Sequence, residues 1–115
     1  MTGVQTCALP ICLNEQLTPN EMLGLHSIGD CYLALVKSEG FGLPIFDAFH
    51  YGKNIIATGY SGHLDFLGNN YPGLVQYKLG PVKGMASFSA NYTEEQVWAY
   101  PDIDHAVELM REAIK

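Results

Sequence analysis

At 115 residues the chain has room for one domain, and its 48% hydrophobic content argues for a globular fold and against disorder. A formal net charge of −6 argues against nucleic acid or an anionic membrane surface as the main partner. Three cysteines without zinc spacing form neither a disulfide framework nor a metal site, and no apolar run is long enough to span a membrane.

The chain opens with Met1-Thr2-Gly3-Val4-Gln5-Thr6-Cys7-Ala8-Leu9-Pro10-Ile11. This string resembles the translation of a common sequencing adapter read from a GTG start. Residues 1–11 are therefore expected to be an artefact, and authentic sequence to begin near Leu13, inside a larger protein. No basic signal-peptide start is present. A cytoplasmic location is expected, with peripheral membrane attachment left open for the parent.

Thr18-Pro19-Asn20-Glu21 carries the marks of a helix start. Thr18 suits the N-cap, Pro19 the first helical position, and Glu21 completes a capping box. Met22, Leu23, Leu25 and Ile28 supply an apolar stripe, and Gly29 ends the helix. His26 has no second ligand at helical spacing, so a surface or half-buried histidine is expected there.

Cys31 to Val36 reads as a strand buried on both faces, as in a parallel sheet, with Cys31 a small buried hydrophobe. Lys37 is expected to be solvated. A helix is predicted from Pro44 to about Tyr51, burying Ile45, Phe46, Ala48 and Phe49, with Gly52 as its C-cap and His50 on the surface. Asn54 to Thr58 is the next strand. Gly59-Tyr60-Ser61-Gly62 is a second strand-end loop, and His63 to Leu67 a short helix. His63 either caps that helix or contacts a ligand. Asp65 is expected to be a turn or capping group.

Asn69 to Gly73 is a turn cluster, and Leu74 to Tyr77 a third strand. Lys78 to Glu95 shows no clear periodicity. Tyr92 and Trp98 are expected to pack locally. Asp102 and Asp104 favour the positive end of a last helix, whose broad apolar face and non-basic polar face read as scaffold.

The chemistry concentrates in Ser38-Glu39-Gly40-Phe41-Gly42-Leu43-Pro44-Ile45-Phe46-Asp47-Ala48. Strand, glycine loop, helix and strand in that order form a βαβ unit. Gly40 and Gly42 allow close approach to the backbone, and Pro44 suits the first helical turn. The loop thus delivers free N–H groups at a helix N-terminus, which attracts phosphate. Glu39 precedes the glycines, and Asp47 follows about one turn into the helix. A carboxylate accepts two hydrogen bonds side by side, which suits neighbouring sugar hydroxyls. Phosphate in the middle and hydroxyls at both ends describe a nucleotide-sugar.

Glu39-Gly40-Phe41-Gly42-Leu43-Pro44, followed by Asp47-Ala48 and Gly52, resembles the E-x7-E signature of family 4 retaining glycosyltransferases. The similarity continues through Ile55 to Phe66 and over Trp98 to Asp102 with the helix after it. It implies an α/β fold: a partial Rossmann-like parallel sheet with flanking helices, part of the C-terminal, donor-binding domain of a GT-B enzyme. Residues 12–115 would be that partial nucleotide-sugar-binding domain. The resemblance assigns Glu39 to the transferred sugar and the catalytic role. It assigns the backbone of Gly40, Phe41, Gly42 and Leu43 to sugar hydroxyls and diphosphate, and Asp47 to the ribose diol. Ser61 and Gly62 are secondary candidates, because that loop lies close to the donor in the family. The donor would be a UDP-, GDP- or ADP-sugar, with no metal and no other cofactor required. The acceptor, a glycan, lipid or other hydroxyl compound, would be held by an N-terminal domain outside this chain.

Asp47 stands where the family has Glu, which shortens the reach by about 1.5 Å. The family's basic diphosphate-gripping residues lie upstream of this stretch, so the fragment alone is expected to be inactive. Two alternatives follow: a non-catalytic nucleotide-sugar-binding module, or another GT-B enzyme such as a sugar epimerase.

Overall fold

The computed structural model describes residues 10–85, 93 and 95–114. Most of the adapter-like segment, Tyr92 and part of the 78–95 stretch lie outside the described residues. The elements run α1 (Pro19–Ile28), β1 (Cys31–Ala34), α2 (Leu43–His50), β2 (Asn54–Thr58), α3 (Leu64–Leu67), β3 (Leu74–Val75), β4 (Tyr77–Pro81), β5 (Val97–Pro101) and α4 (Ile103–Ala113).

Two sheets result. In the first, β1, β2 and β3 lie side by side and all parallel. Cys31 pairs with Asn54 through to Ala34 with Ala57, and Thr58 pairs with Val75. In the second, β4 and β5 form an antiparallel ladder from Tyr77 opposite Pro101 to Pro81 opposite Val97. The molecule is therefore mixed α/β with helices on both faces of a parallel sheet, compatible with a Rossmann-like arrangement. No helix among the described residues is long and apolar enough to cross a membrane.

The central strand organises the core. Side chains alternate along β2, so Ile55 and Ala57 meet Ile45 and Ala48 of α2 on one face, with Leu67 closing the cluster. Ile56 faces the other way and packs with Val75 and Ala106 of α4. Each of the two isoleucines is almost fully buried, which stabilises the fold by about 1.5–3 kcal/mol apiece.

Several expectations are corrected. The first strand stops at Ala34, and it is half-buried rather than buried, with Leu33 42% exposed. The reason is its place at the sheet edge, where it has a strand neighbour on one side. Helix α1 carries the expected capping box, but Met22, Leu23, Leu25 and Ile28 are all exposed. The residue it buries is His26, 8% exposed, whose ring lies 5.6 Å from Tyr32 and 6.2 Å from Tyr51.

The third strand is split. After Val75 the Gln76 N–H donates to His105 Nδ1 (2.9 Å), and the Gln76 carbonyl accepts from the Asp102 N–H (2.8 Å). Those bonds turn the chain toward the start of α4, and it continues as β4 in the second sheet. Asp102 caps α4 by accepting from the His105 N–H (3.1 Å). Tyr51 follows α2 directly, and Gly52 sits one residue further on in the left-handed region.

Candidate functional site

Parallel strands end on one side of their sheet, so the loops after β1 and β2 meet at the same edge. They meet through Glu39 and Ser61. The Glu39 N–H donates to Ser61 Oγ (2.9 Å), and Ser61 Oγ donates to the Glu39 carbonyl (2.5 Å). The Gly62 N–H donates to that same carbonyl (3.0 Å). The loops touch so closely that a Cβ on Gly62 would fall 1.3 Å from the Gly40 carbonyl oxygen.

Above this junction the first loop is open at Gly40, whereas Gly42, expected to allow close approach as well, is buried against the elements around it. Gly40 is exposed, and a Cβ there would meet nothing within 4 Å. Gly42 is the N-cap of α2 with φ +84°, a conformation that suits glycine. A Cβ at Gly42 would lie 3.1 Å from His63 Cβ and 3.3 Å from Glu39 Cγ. The Glu39 side chain therefore passes directly beside the start of α2. That helix start has no side-chain cap, so its first-turn N–H groups retain their pull on an anion.

Phe41 points its ring away from this role. It is half-exposed and packs 5.2 Å from Phe46 and 5.2 Å from Phe66, anchoring the loop onto α2 and α3. Leu43 is 64% exposed. Asp47 is exposed on α2, one turn beyond Leu43. Glu39 is partly buried. Both carboxylates act on one further group, the phenol of Tyr32 on β1. Burial pushes that phenol above its ordinary value, and the negative charges of Glu39 and Asp47 add to the effect. Sequence reasoning passed over Tyr32, which carries no local signal beyond being aromatic in a strand.

His63 stands at the N-cap position of α3, but its side chain makes no capping bond and does not reach solvent. It is fully buried, and its Nε2 donates to the Thr58 carbonyl (2.5 Å). That bond puts the proton on Nε2, and Nδ1 is buried without a hydrogen-bond partner among the described residues. Thr58 in turn donates from Oγ1 to the Val36 carbonyl (2.5 Å). A chain of bonds thus runs from the end of β1 through Thr58 to the floor of the second loop. Asp65 is exposed in the first turn of α3, and His50 is exposed with Nδ1 3.2 Å from the Phe46 carbonyl oxygen.

Beside Ser38 lies an open cleft of about 1000 Å³, lined by Leu35, Lys37, Ser38, Val82, Gln96 and Trp98 among others. Lys37 is exposed, as expected, but its ammonium is not free. It lies 4.9 Å from the Trp98 ring centre and 5.1 Å from that of Tyr100. Trp98 carries Lys37 over its ring and lines the cleft, and its Nε1 is buried without a partner among the described residues.

The geometry thus brings together Glu39, Gly40, Gly42, Ser61 and Gly62, sets Asp47 nearby on α2, and uses Phe41 for packing. Comparisons with protein-family models, curated proteins and solved structures returned no match to this chain.

Proposed function

We propose that the chain is part of the donor-binding domain of a retaining GT-B glycosyltransferase, holding a nucleoside diphosphate sugar at the edge where the β1 and β2 loops meet. The observation that carries this reading is the locked junction itself. It presents the open Gly40 backbone and the uncapped start of α2 between the carboxylates of Glu39 and Asp47.

In this reading the transferred sugar sits against Glu39, and its hydroxyls donate to that carboxylate. The diphosphate faces the N–H groups of Gly40 to Leu43. As the bond from the anomeric carbon to the diphosphate oxygen breaks, charge grows on that oxygen, and oriented amides stabilise it without reorganising. Asp47 takes the ribose diol. An acceptor hydroxyl, supplied through a second domain, forms the new glycosidic bond on the retained face and passes its proton to the departing diphosphate oxygen.

The test is calorimetric titration with UDP-glucose, GDP-mannose and ADP-glucose. Glu39→Ala is expected to weaken binding of the preferred donor about ten-fold or more, as loss of charge-assisted bonds does. Asp47→Glu is expected to preserve or tighten it. In a full-length parent, Glu39→Ala is expected to cut turnover severely. Wild-type turnover in that variant would refute the role given to Glu39.

A second reading is a binding module without transferase activity. The engagement of Lys37 with Trp98 and Tyr100, which draws that cation away from a departing diphosphate, and the shorter Asp47 in place of Glu favour it. A parent that binds a nucleotide-sugar and neither hydrolyses nor transfers it would establish this reading.

A further inference from the structure

We propose that Ser61 is a positioning residue for Glu39, acting through its hydroxyl; the proposal rests on the donor-binding reading above. Two observations carry it. Ser61 is the one non-glycine residue among the described residues with positive φ, at 93°. Glycine occupies that region freely and an L side chain does not. Glycines stand close on either side, at Gly59 and Gly62, yet the strained position holds serine.

What serine adds over glycine is one hydroxyl, and that hydroxyl is committed to Glu39. It accepts from the Glu39 N–H at 2.9 Å and donates to the Glu39 carbonyl at 2.5 Å, across 22 residues of sequence. Both backbone poles of a single residue are held by one side chain. A hydroxyl has one proton to donate, and here it is used within the protein. Ser61 therefore has no proton to give a donor hydroxyl, and its influence on a ligand passes through Glu39. Fixing the Glu39 backbone sets where its carboxylate leaves the loop, beside Gly42. Small slack at such a point costs heavily in productive geometry.

The test compares Ser61→Gly with Ser61→Ala. The glycine variant removes strain and hydroxyl together, whereas the alanine variant removes the hydroxyl and keeps the strain. Thermal midpoint, amide hydrogen exchange and titration with UDP-glucose, GDP-mannose and ADP-glucose are measured on the whole chain. Ser61→Gly is expected to melt at or above the wild-type temperature, and Ser61→Ala below it. In both, exchange at the Glu39 amide is expected to speed up about ten-fold or more, and binding of the preferred sugar to weaken about ten-fold.

A merely structural role would make binding follow stability, leaving Ser61→Gly at wild-type affinity. That result, or wild-type exchange at Glu39 in Ser61→Gly, overturns the proposal. Should the wild type bind none of the three sugars, the donor-binding reading fails. Exchange at Glu39 in Ser61→Gly then decides the clasp: faster exchange upholds it and wild-type exchange overturns it.

Discussion

At the scale of single residues, the junction of the two loops depends on atoms that are absent as much as on atoms that are present. Gly62 has no room for a methyl group, because the backbone of Gly40 occupies the space. Gly62→Ala is therefore expected to force the loops apart and destabilise the protein by about 1–3 kcal/mol, as overpacking does. Denaturant titration checks this, and an unchanged midpoint would mean that the loops are not in contact. His63 illustrates the opposite case, a residue whose surroundings could not be read locally. Its five-residue link to the Thr58 carbonyl depends on the turn through Ser61, and that turn is set by the clasp on Glu39.

At the scale of elements, α1 stands on its ends as well as on its face. It buries His26 and leaves Met22, Leu23 and Leu25 only partly covered and Ile28 exposed, so capping adds materially to what packing supplies. The Glu21 carboxylate accepts from the Thr18 N–H (2.9 Å), and Thr18 Oγ1 accepts from the Glu21 N–H (3.2 Å). The Thr18 backbone N–H first, and the Thr18 hydroxyl second, hold the Glu21 carboxyl below its ordinary value of 4.5. A carboxyl depressed in the folded state stabilises it fully above the ordinary value, and that contribution is lost as pH falls through the lowered one. Acidification is thus expected to lower the protection of the Thr18 amide, measured as its exchange rate relative to the unstructured chain at the same pH. Glu21→Gln keeps the capping geometry and is expected to remove the pH dependence. Thr18→Ala is expected to cost about 1 kcal/mol, read from helical circular dichroism on heating.

At the scale of the whole molecule, the parallel sheet has three strands among the described residues, and β1 lies at its edge there. Leu33 is 42% exposed there. A cavity of about 360 Å³ lined by Cys31, Leu33, Val107, Met110 and Ile114 adjoins it, largely apolar. An edge strand with exposed apolar side chains promotes association between copies. Sedimentation is expected to show concentration-dependent self-association, and Leu33→Lys to suppress it while leaving the thermal midpoint within a few degrees. Monodisperse wild-type protein at high concentration would refute this. The β4–β5 ladder is joined to the parallel sheet by backbone bonds from the Ala99 N–H to the Lys37 carbonyl (2.9 Å) and from the Asp102 N–H to the Gln76 carbonyl (2.8 Å). It closes one side of the cleft next to Ser38.

Much of this architecture follows from sequence by itself. Thr18, Pro19 and Glu21 define a helix start within four residues. The apolar run Ile55 to Ala57 defines the central strand, and the order strand, glycine loop, helix, strand places a backbone-rich loop at a strand end. All of these are local signals, acting between neighbours in the chain. Tertiary structure alone decided the rest. It buried His26 and His63, exposed the stripe of α1, put β1 at an edge, and divided the third strand between two sheets. It also joined Ser61 to Glu39 across 22 residues. Such contacts depend on how separate elements stack, and the energy of that stacking is not written in any short stretch of sequence.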